Sequence, residues 1–438
     1  MGSFNFPFRA ILKGAPMKIL KHAALGSIIL FIILSCNPNS GDDDDTSPND
    51  DDTIIDDDSE SEGTTSTTTT STTTTTWPPD DDIGDDTIDD DTTDDDTADD
   101  DAGAWSIEVV APTGEDAVGS SIAVDGSNDP HIAFIAAGTQ TIRVEYATKS
   151  AGSWNVATIG GLTCWGCAPS IALDENGFAH IVYNFFLSSN DVLIYSTNKS
   201  GPWVSIPITS EWGIGDQSLA IDDNGKAHVA AYVSDYYHPY DPQIKYLTDK
   251  SGIWTQEIVG YGSFETAYSS IALDASGYPH IAYCSHIAIL YGPLFHATNA
   301  SGSWQTDPVN GSLPGGADNS IAIDANDHVS IAYIGGAGTL IFATNASGSW
   351  GKTTVDIGAY AYSSLAIDSD GFAHISYYDS SAMDLKYATN KSGQWAIAVV
   401  DSEGDIGQGC AIAVDTLGHP HISYVDSTNR QLKYAVWQ

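Results

Sequence analysis

The most constraining feature of the chain is a repeat. One unit reads Ser363-Ser-Leu-Ala-Ile-Asp368-Ser-Asp-Gly-Phe-Ala-His374-Ile-Ser-Tyr377, then Leu385-Lys-Tyr387-Ala-Thr, then Gly393-Gln-Trp395. An Asp closes the first run at Asp125, Asp174, Asp222, Asp274, Asp324, Asp368 and Asp415, at intervals of 44–52 residues. A His opens the second run at His131, His180, His228, His280, His374 and His421, with Ser330 in the fifth unit. The aromatic of the third run is Tyr146, Tyr195, Tyr246, His296, Phe342, Tyr387 and Tyr434, and the closing Trp is Trp154, Trp203, Trp254, Trp304, Trp350 and Trp395.

Each unit holds four short runs rich in Ile, Val, Ala and Tyr, bounded by Gly, Asn, Asp and Ser, which is strand and turn chemistry. Nothing after residue 104 sustains a helical period. Four strands per unit at this spacing predicts an all-β, seven-bladed β-propeller of four-stranded antiparallel blades. A β-solenoid needs a shorter period and stacked sandwich domains a longer one. The last unit ends at Tyr434-Ala-Val-Trp437 without its fourth strand, while Trp105-Ser-Ile-Glu-Val-Val precedes the first unit as a spare copy of one. Trp105 lies 20 residues before Asp125, as Trp154 does before Asp174. The N-terminal strand is therefore expected to complete the last blade, and closure removes free sheet edges.

The repeat resembles propeller repeats common in large bacterial lipoproteins and, more distantly, sialidase-like and fucose-lectin-like propellers. The resemblance covers 105–438 and speaks to architecture. Sialidases bind the substrate carboxylate with three arginines, whereas this region offers only Arg143 and Arg430, both beside the third strand, and it lacks the Ser-x-Asp-x-Gly-x-x-Trp box.

The N-terminal quarter is different in kind. Met17-Lys-Ile-Leu-Lys21, the apolar stretch Ala23–Leu34 and Ser35-Cys36 read as a signal peptide over 1–36, with Met17 as an alternative start. The tail Ile33-Leu-Ser-Cys36 resembles the bacterial lipobox, which implies acylation of Cys36. An ordinary signal peptide with a chance cysteine is the alternative. Residues 37–104 are almost wholly Asp, Thr, Ser, Pro and Gly, too poor in apolar surface to offset the entropy of ordering, and read as a disordered, charge-extended tether.

Of the net charge of −44, residues 1–104 hold 26 acidic and 4 basic groups, which leaves 33 acidic and 11 basic in 105–438. A domain this acidic argues against nucleic acid or an anionic membrane surface as partner. Export permits disulfides. Cys164-Trp-Gly-Cys167 lies in a Gly-rich stretch without a following helix and is expected to staple a loop; Cys284 and Cys410 are either paired across blades or free.

In a propeller the first-to-second and third-to-fourth turns share one face. Here that face is uniform, with Asp and Gly serving tight turns and Asp and His placed to bond across them. The six His belong to different blades, too far apart for one metal, and the Asp-x-Asp-Gly segments lack the oxygens of a calcium loop. No metal or cofactor is expected. The other face is irregular and aromatic, as binding loops on rigid scaffolds are. Its candidates are Trp165 and Trp212 in blade connections, Tyr261 and Tyr360 with Phe264, Tyr268 and Tyr362, the loop Asp235, Tyr236, Tyr237, His238, Tyr240 and Asp241, and His286 and Tyr291. Rings beside carboxylates suit sugar stacking or a protein hot spot.

The expected protein is a monomeric cell-envelope lipoprotein, at the outer membrane or cell surface. It would touch the membrane through its lipid and display a module for a glycan or protein ligand. The alternatives are a carbohydrate-active enzyme, with Asp216, Asp235 and Asp241 meeting near the axis, and a scaffold of an envelope complex.

Overall fold

A computed structural model describes residues 103–438, apart from 112–115, 139–140, 151, 162–167, 187–189, 212, 235–241, 262–267, 285–291, 312–314 and 359–360. The expected signal peptide with Cys36, and the expected tether up to residue 102, lie outside the described residues; Ala104 exchanges backbone hydrogen bonds with Gln438.

Residues 103–438 form a ring of seven four-stranded antiparallel sheets. The innermost strands are Asp116–Val124, Ser170–Leu173, Ile214–Ile221, Ser269–Leu273, Gly315–Ile323, Ala361–Ile367 and Ile406–Val414. Each is the first strand of its blade, and each contacts the first strand of the next, with the seventh returning to the first. The predicted closure is present. Trp105–Ala111 pairs antiparallel with Gln431–Trp437, aligning Trp105 with Trp437 and Ile107 with Ala435. Glu108 of this strand also accepts from Lys149 (2.6 Å) and from the Trp154 indole (3.0 Å), both in blade 1. The oldest and newest parts of the chain are thus locked side by side.

The second strands explain why the repeat does not alternate polar and apolar. Pro130–Ala137, Ala227–Val233, Val329–Gly335 and Pro420–Asp426 are buried at every position, because neighbouring blades cover both of their faces. The core accordingly lies between blades. One cluster joins Ala133, Val144, Tyr146 and Ile159 of blade 1 to Ile171, Ile181 and Tyr183 of blade 2.

Tryptophan supplies the interblade geometry. Trp154, Trp203, Trp254, Trp304, Trp350 and Trp395 each meet the third-strand ring of the preceding blade edge to face, and Trp105 meets Tyr387 in the same way. Centroids are 5.0–5.6 Å apart at 62–73°. Such pairs contribute about 0.5–1.5 kcal/mol each beyond area burial. Trp105 is the seventh member of the set, which confirms it as the missing strand of blade 7.

Candidate functional site

The uniform face is occupied by structure. In all seven blades Oδ1 of the turn Asp accepts the backbone N–H groups two and four residues on, as Asp125 does from Ser127 (2.8 Å) and Asp129 (2.9 Å). The residue three beyond the Asp has left-handed φ, such as Gly225 (68°) and Gly371 (86°), which is why Gly, Asn or Asp stands there. Oδ2 of the same Asp faces His Nε2 at 3.1–3.6 Å. In blades 1, 4 and 6 this contact is a hydrogen bond, and because a carboxylate only accepts, it fixes the imidazole proton on Nε2. The Tyr hydroxyl then donates to Nδ1, at 2.5–2.7 Å in blades 1, 2, 3, 6 and 7. In blade 4 His296 replaces the Tyr, 2.9 Å from His280. In blade 5 Ser330 and Phe342 break the chain, and His328 reaches Asp324 at 2.9 Å instead.

Burial lowers the pKa of all six repeat His against the pull of their Asp partners, so they are neutral near pH 7. Burial also acts to raise Asp125, Asp222 and Asp415, but backbone N–H groups and the His partner together hold them below the usual carboxylate range. Among the described residues no group of His, Cys, Asp and Glu converges on a metal site.

The irregular end differs. Counting back six residues from each turn Asp gives Gly119, Ala168, Asp216, Tyr268, Asp318, Tyr362 and Gly409, and all seven line one central cavity of about 260 Å³. Ser427 and Arg430, from the second-to-third turn of blade 7, line it too, so it lies at the irregular end. The local backbone explains the aim. Strand pairing skips this position in blades 1, 3, 5, 6 and 7, leaving a bulge that turns one residue out of the sheet. Gly119 (63°) and Gly409 (57°) adopt positive φ there at little cost, but Asp318 (45°) and Tyr362 (62°) hold the same conformation with a side chain.

The next position stitches the ring. Its side chain donates to the carbonyl of the preceding blade's cavity residue: Gln217 to Ala168 (2.5 Å), Asn319 to Tyr268 (3.2 Å), Ser363 to Asp318 (2.5 Å), Cys410 to Tyr362 (2.9 Å) and Ser120 to Gly409 (3.1 Å). One residue further on, Ser121, Ser170, Ser218, Ser320 and Ser364 accept a backbone N–H from the following blade. The free inner edges of the sheets are satisfied in this way, and the cavity wall is held from behind.

Within the wall, Tyr268 donates its hydroxyl and Tyr362 its backbone N–H to the Asp318 carboxylate. Burial nevertheless pushes Asp318 up to about 6. Burial, then the Asp318 charge, pushes Asp216 up to about 7. Both side chains keep partial exposure towards the cavity while protein surrounds them. Arg430 pairs with Asp116 at the same cavity. Arg430, expected beside the third strand, stands in the turn before the third strand of blade 7 and lines the cavity.

Of the irregular-face candidates, Trp165, Trp212, Asp235, Tyr236, Tyr237, His238, Tyr240, Asp241, His286, Tyr291 and Tyr360 lie outside the described residues, as do Phe264, Cys164 and Cys167. Tyr261 is described, 60 % exposed at the end of a fourth strand, and does not line the cavity. Asp216, Tyr268 and Tyr362 do line it. Asp318 was missed, although its signal was legible: six residues before the turn Asp, an otherwise regular frame carries Gly, Ala, Asp, Tyr, Asp, Tyr and Gly. Cys284 and Cys410 are both buried, and no disulfide joins them.

Ring order, strand order and closure define the class: this is a seven-bladed β-propeller with N-terminal strand closure. The chain matches no protein-family model and no curated protein sequence. Among solved structures it is similar to a protein of unknown function from Dyadobacter fermentans (13% identity, 62% of this chain and 93% of that one, TM-score 0.46). It is also similar to the six-bladed fucose-recognising lectin of Aleuria aurantia (16%, 66% and 96%, 0.45) and to an α-L-arabinofuranosidase from Fusarium graminearum (9%, 63% and 92%, 0.44). A lectin and a glycosidase stand side by side in that set, so it selects no activity.

Proposed function

We propose that the chain is an exported envelope lipoprotein, acylated at Cys36, that displays the propeller on an acidic tether as a glycan-binding module. One observation carries the binding reading. The uniform face spends its Asp, His and Tyr on one another, whereas the irregular end gathers Asp216, Tyr268, Asp318 and Tyr362 around a cavity. Carboxylates that accept from hydroxyls, set beside aromatic faces, are the chemistry of sugar recognition. Displaying the full chain on a glycan array tests it: binding lost on Asp318→Asn or Tyr268→Ala supports the reading, and a blank array turns it towards a protein partner. Radiolabelled palmitate should enter the wild type and not Cys36→Ala; equal labelling would remove the anchor.

A second reading has its own support. Two carboxyls share one cavity and are held near neutrality, the condition for general acid and base work. Turnover of a polysaccharide, abolished in Asp216→Asn, would favour a carbohydrate-active enzyme over a binding module.

A further inference from the structure

We propose that the cavity ringed by the bulge residues seats an ammonium-bearing sugar, such as a glucosamine unit, with Asp216 and Asp318 as counter-ions and Tyr268 and Tyr362 as walls. This rests on the reading of the irregular end as the glycan-binding end.

The charge inventory favours a cation. Two carboxyls face this cavity from blades 3 and 5. The Asp318 carboxyl accepts from Tyr268 and from the Tyr362 backbone, all neutral donors. Among the described residues none donates a hydrogen bond to the Asp216 side chain. Arg430 is the one Lys or Arg among the described residues lining the cavity, and Asp116 pairs with it. Among the described residues, the cavity thus holds two acids that no cation neutralises. Ordinary cores avoid this, because an uncompensated charge away from bulk water is costly. A bound ammonium group relieves it. The surplus negative charge of residues 105–438 also concentrates cations at the surface and repels uronates and sialates.

Size and shape favour a sugar over a bare ion or a flexible amine. A cavity of about 260 Å³ is far larger than a bare ion and has room for one pyranose ring. The aromatic walls offer faces for its C–H groups and for the cation itself. The bulge fixes where each group stands, and the hydrogen bonds behind it, from Asn319, Ser363 and Cys410, keep the wall from collapsing onto the empty space.

The pH response follows from the same groups. Asp216 and Asp318 ionise near 7 and 6, so their charge is lost as pH falls through those values and is nearly gone at pH 5. Two neighbouring groups stay neutral across that window: Cys410 is pushed up to about 12 and Tyr362 well above its usual range, both chiefly by burial.

Isothermal calorimetry of the full chain with a chitosan trimer, and with its fully N-acetylated counterpart, tests the proposal. The expected result is binding of the amine form at pH 7, at least tenfold weaker at pH 5, and at least tenfold weaker for the acetylated form. Asp216→Asn and Asp318→Asn should each weaken binding tenfold or more. Asp370→Asn, exposed on the uniform face, should leave it unchanged and so excludes diffuse attraction to an acidic chain. Thermal melts verify that each variant is folded. Absence of binding by the amine trimer, equal binding of the acetylated trimer, or indifference to both cavity variants would overturn the proposal. If neutral glycans still bind and cavity variants abolish that binding, only the cation assignment falls. If no glycan binds, the reading beneath it falls as well.

Discussion

At the scale of single residues, the two ends of the ring use the same amino acids in opposite ways. Asp368, His374 and Tyr387 are buried and satisfy one another, Tyr387 to His374 at 2.6 Å and His374 to Asp368 at 3.1 Å. Removing His374 leaves a buried carboxylate oxygen and a buried phenol unpaired, a penalty of about 1–3 kcal/mol. His374→Ala should lower stability by about that amount in urea denaturation; a loss under 0.5 kcal/mol would show that the triad holds little. Asp318 accepts only from neutral donors, and among the described residues Asp216 accepts from none. The repeat His have lowered folded-state pKa values, so their contribution is complete above about pH 6.5 and is lost as pH falls, when the unfolded chain takes up protons the folded one refuses. Asp216 and Asp318 have raised values, so they act the other way: stability is lost as pH rises from 4 through their pKa values of about 7 and 6. Asp216→Asn should therefore raise Tm at pH 8 and leave it nearly unchanged at pH 4. A variant less stable at pH 8 would mean that Asp216 is satisfied by the fold. The triads were legible in the sequence because seven copies share one frame. Asp318 escaped notice because it departs from its copies, and a lone Asp before a turn looks like any other surface residue until the columns are aligned.

At the scale of elements, the strand that matters most is the one out of order. Trp105–Ala111 carries Val110 and Ala111 into the core cluster with Ile122, Val425 and Leu432, and its Trp packs on blade 6. Deleting residues 103–111 should expose the edge of Gln431–Trp437 and remove one of seven Trp contacts. The shortened chain is expected to lose cooperative unfolding and to associate, as seen by light scattering, because an unpaired strand edge is a template for pairing. A monomeric product with an unchanged melt would show that the ring does not need its clasp. Every strand run was readable from the period and the turn residues. The bulges were not, because a bulge is set by which backbone groups pair across blades, and only the ring brings those blades together. The second-to-third loops and most blade connections share no frame with one another, so neither period nor turn chemistry fixes their course.

At the scale of the molecule, division of labour is the organising fact. Closure, interblade Trp pairs and buried triads repeat around the ring and make it rigid, while seven positions at one end are released from the repeat. A rigid ring with one variable layer lets single substitutions change the ligand without disturbing the fold, as in other scaffolds that carry function on loops and strand ends. The most direct measurement is a glycan array read with three proteins: wild type, the double variant Asp216→Asn/Asp318→Asn, and Leu417→Ser, which alters a side chain 68 % exposed on the uniform face. The division of labour predicts signal from wild type and Leu417→Ser and none from the double variant. Signal retained by the double variant and lost in Leu417→Ser would place the function on the repeated face and contradict it.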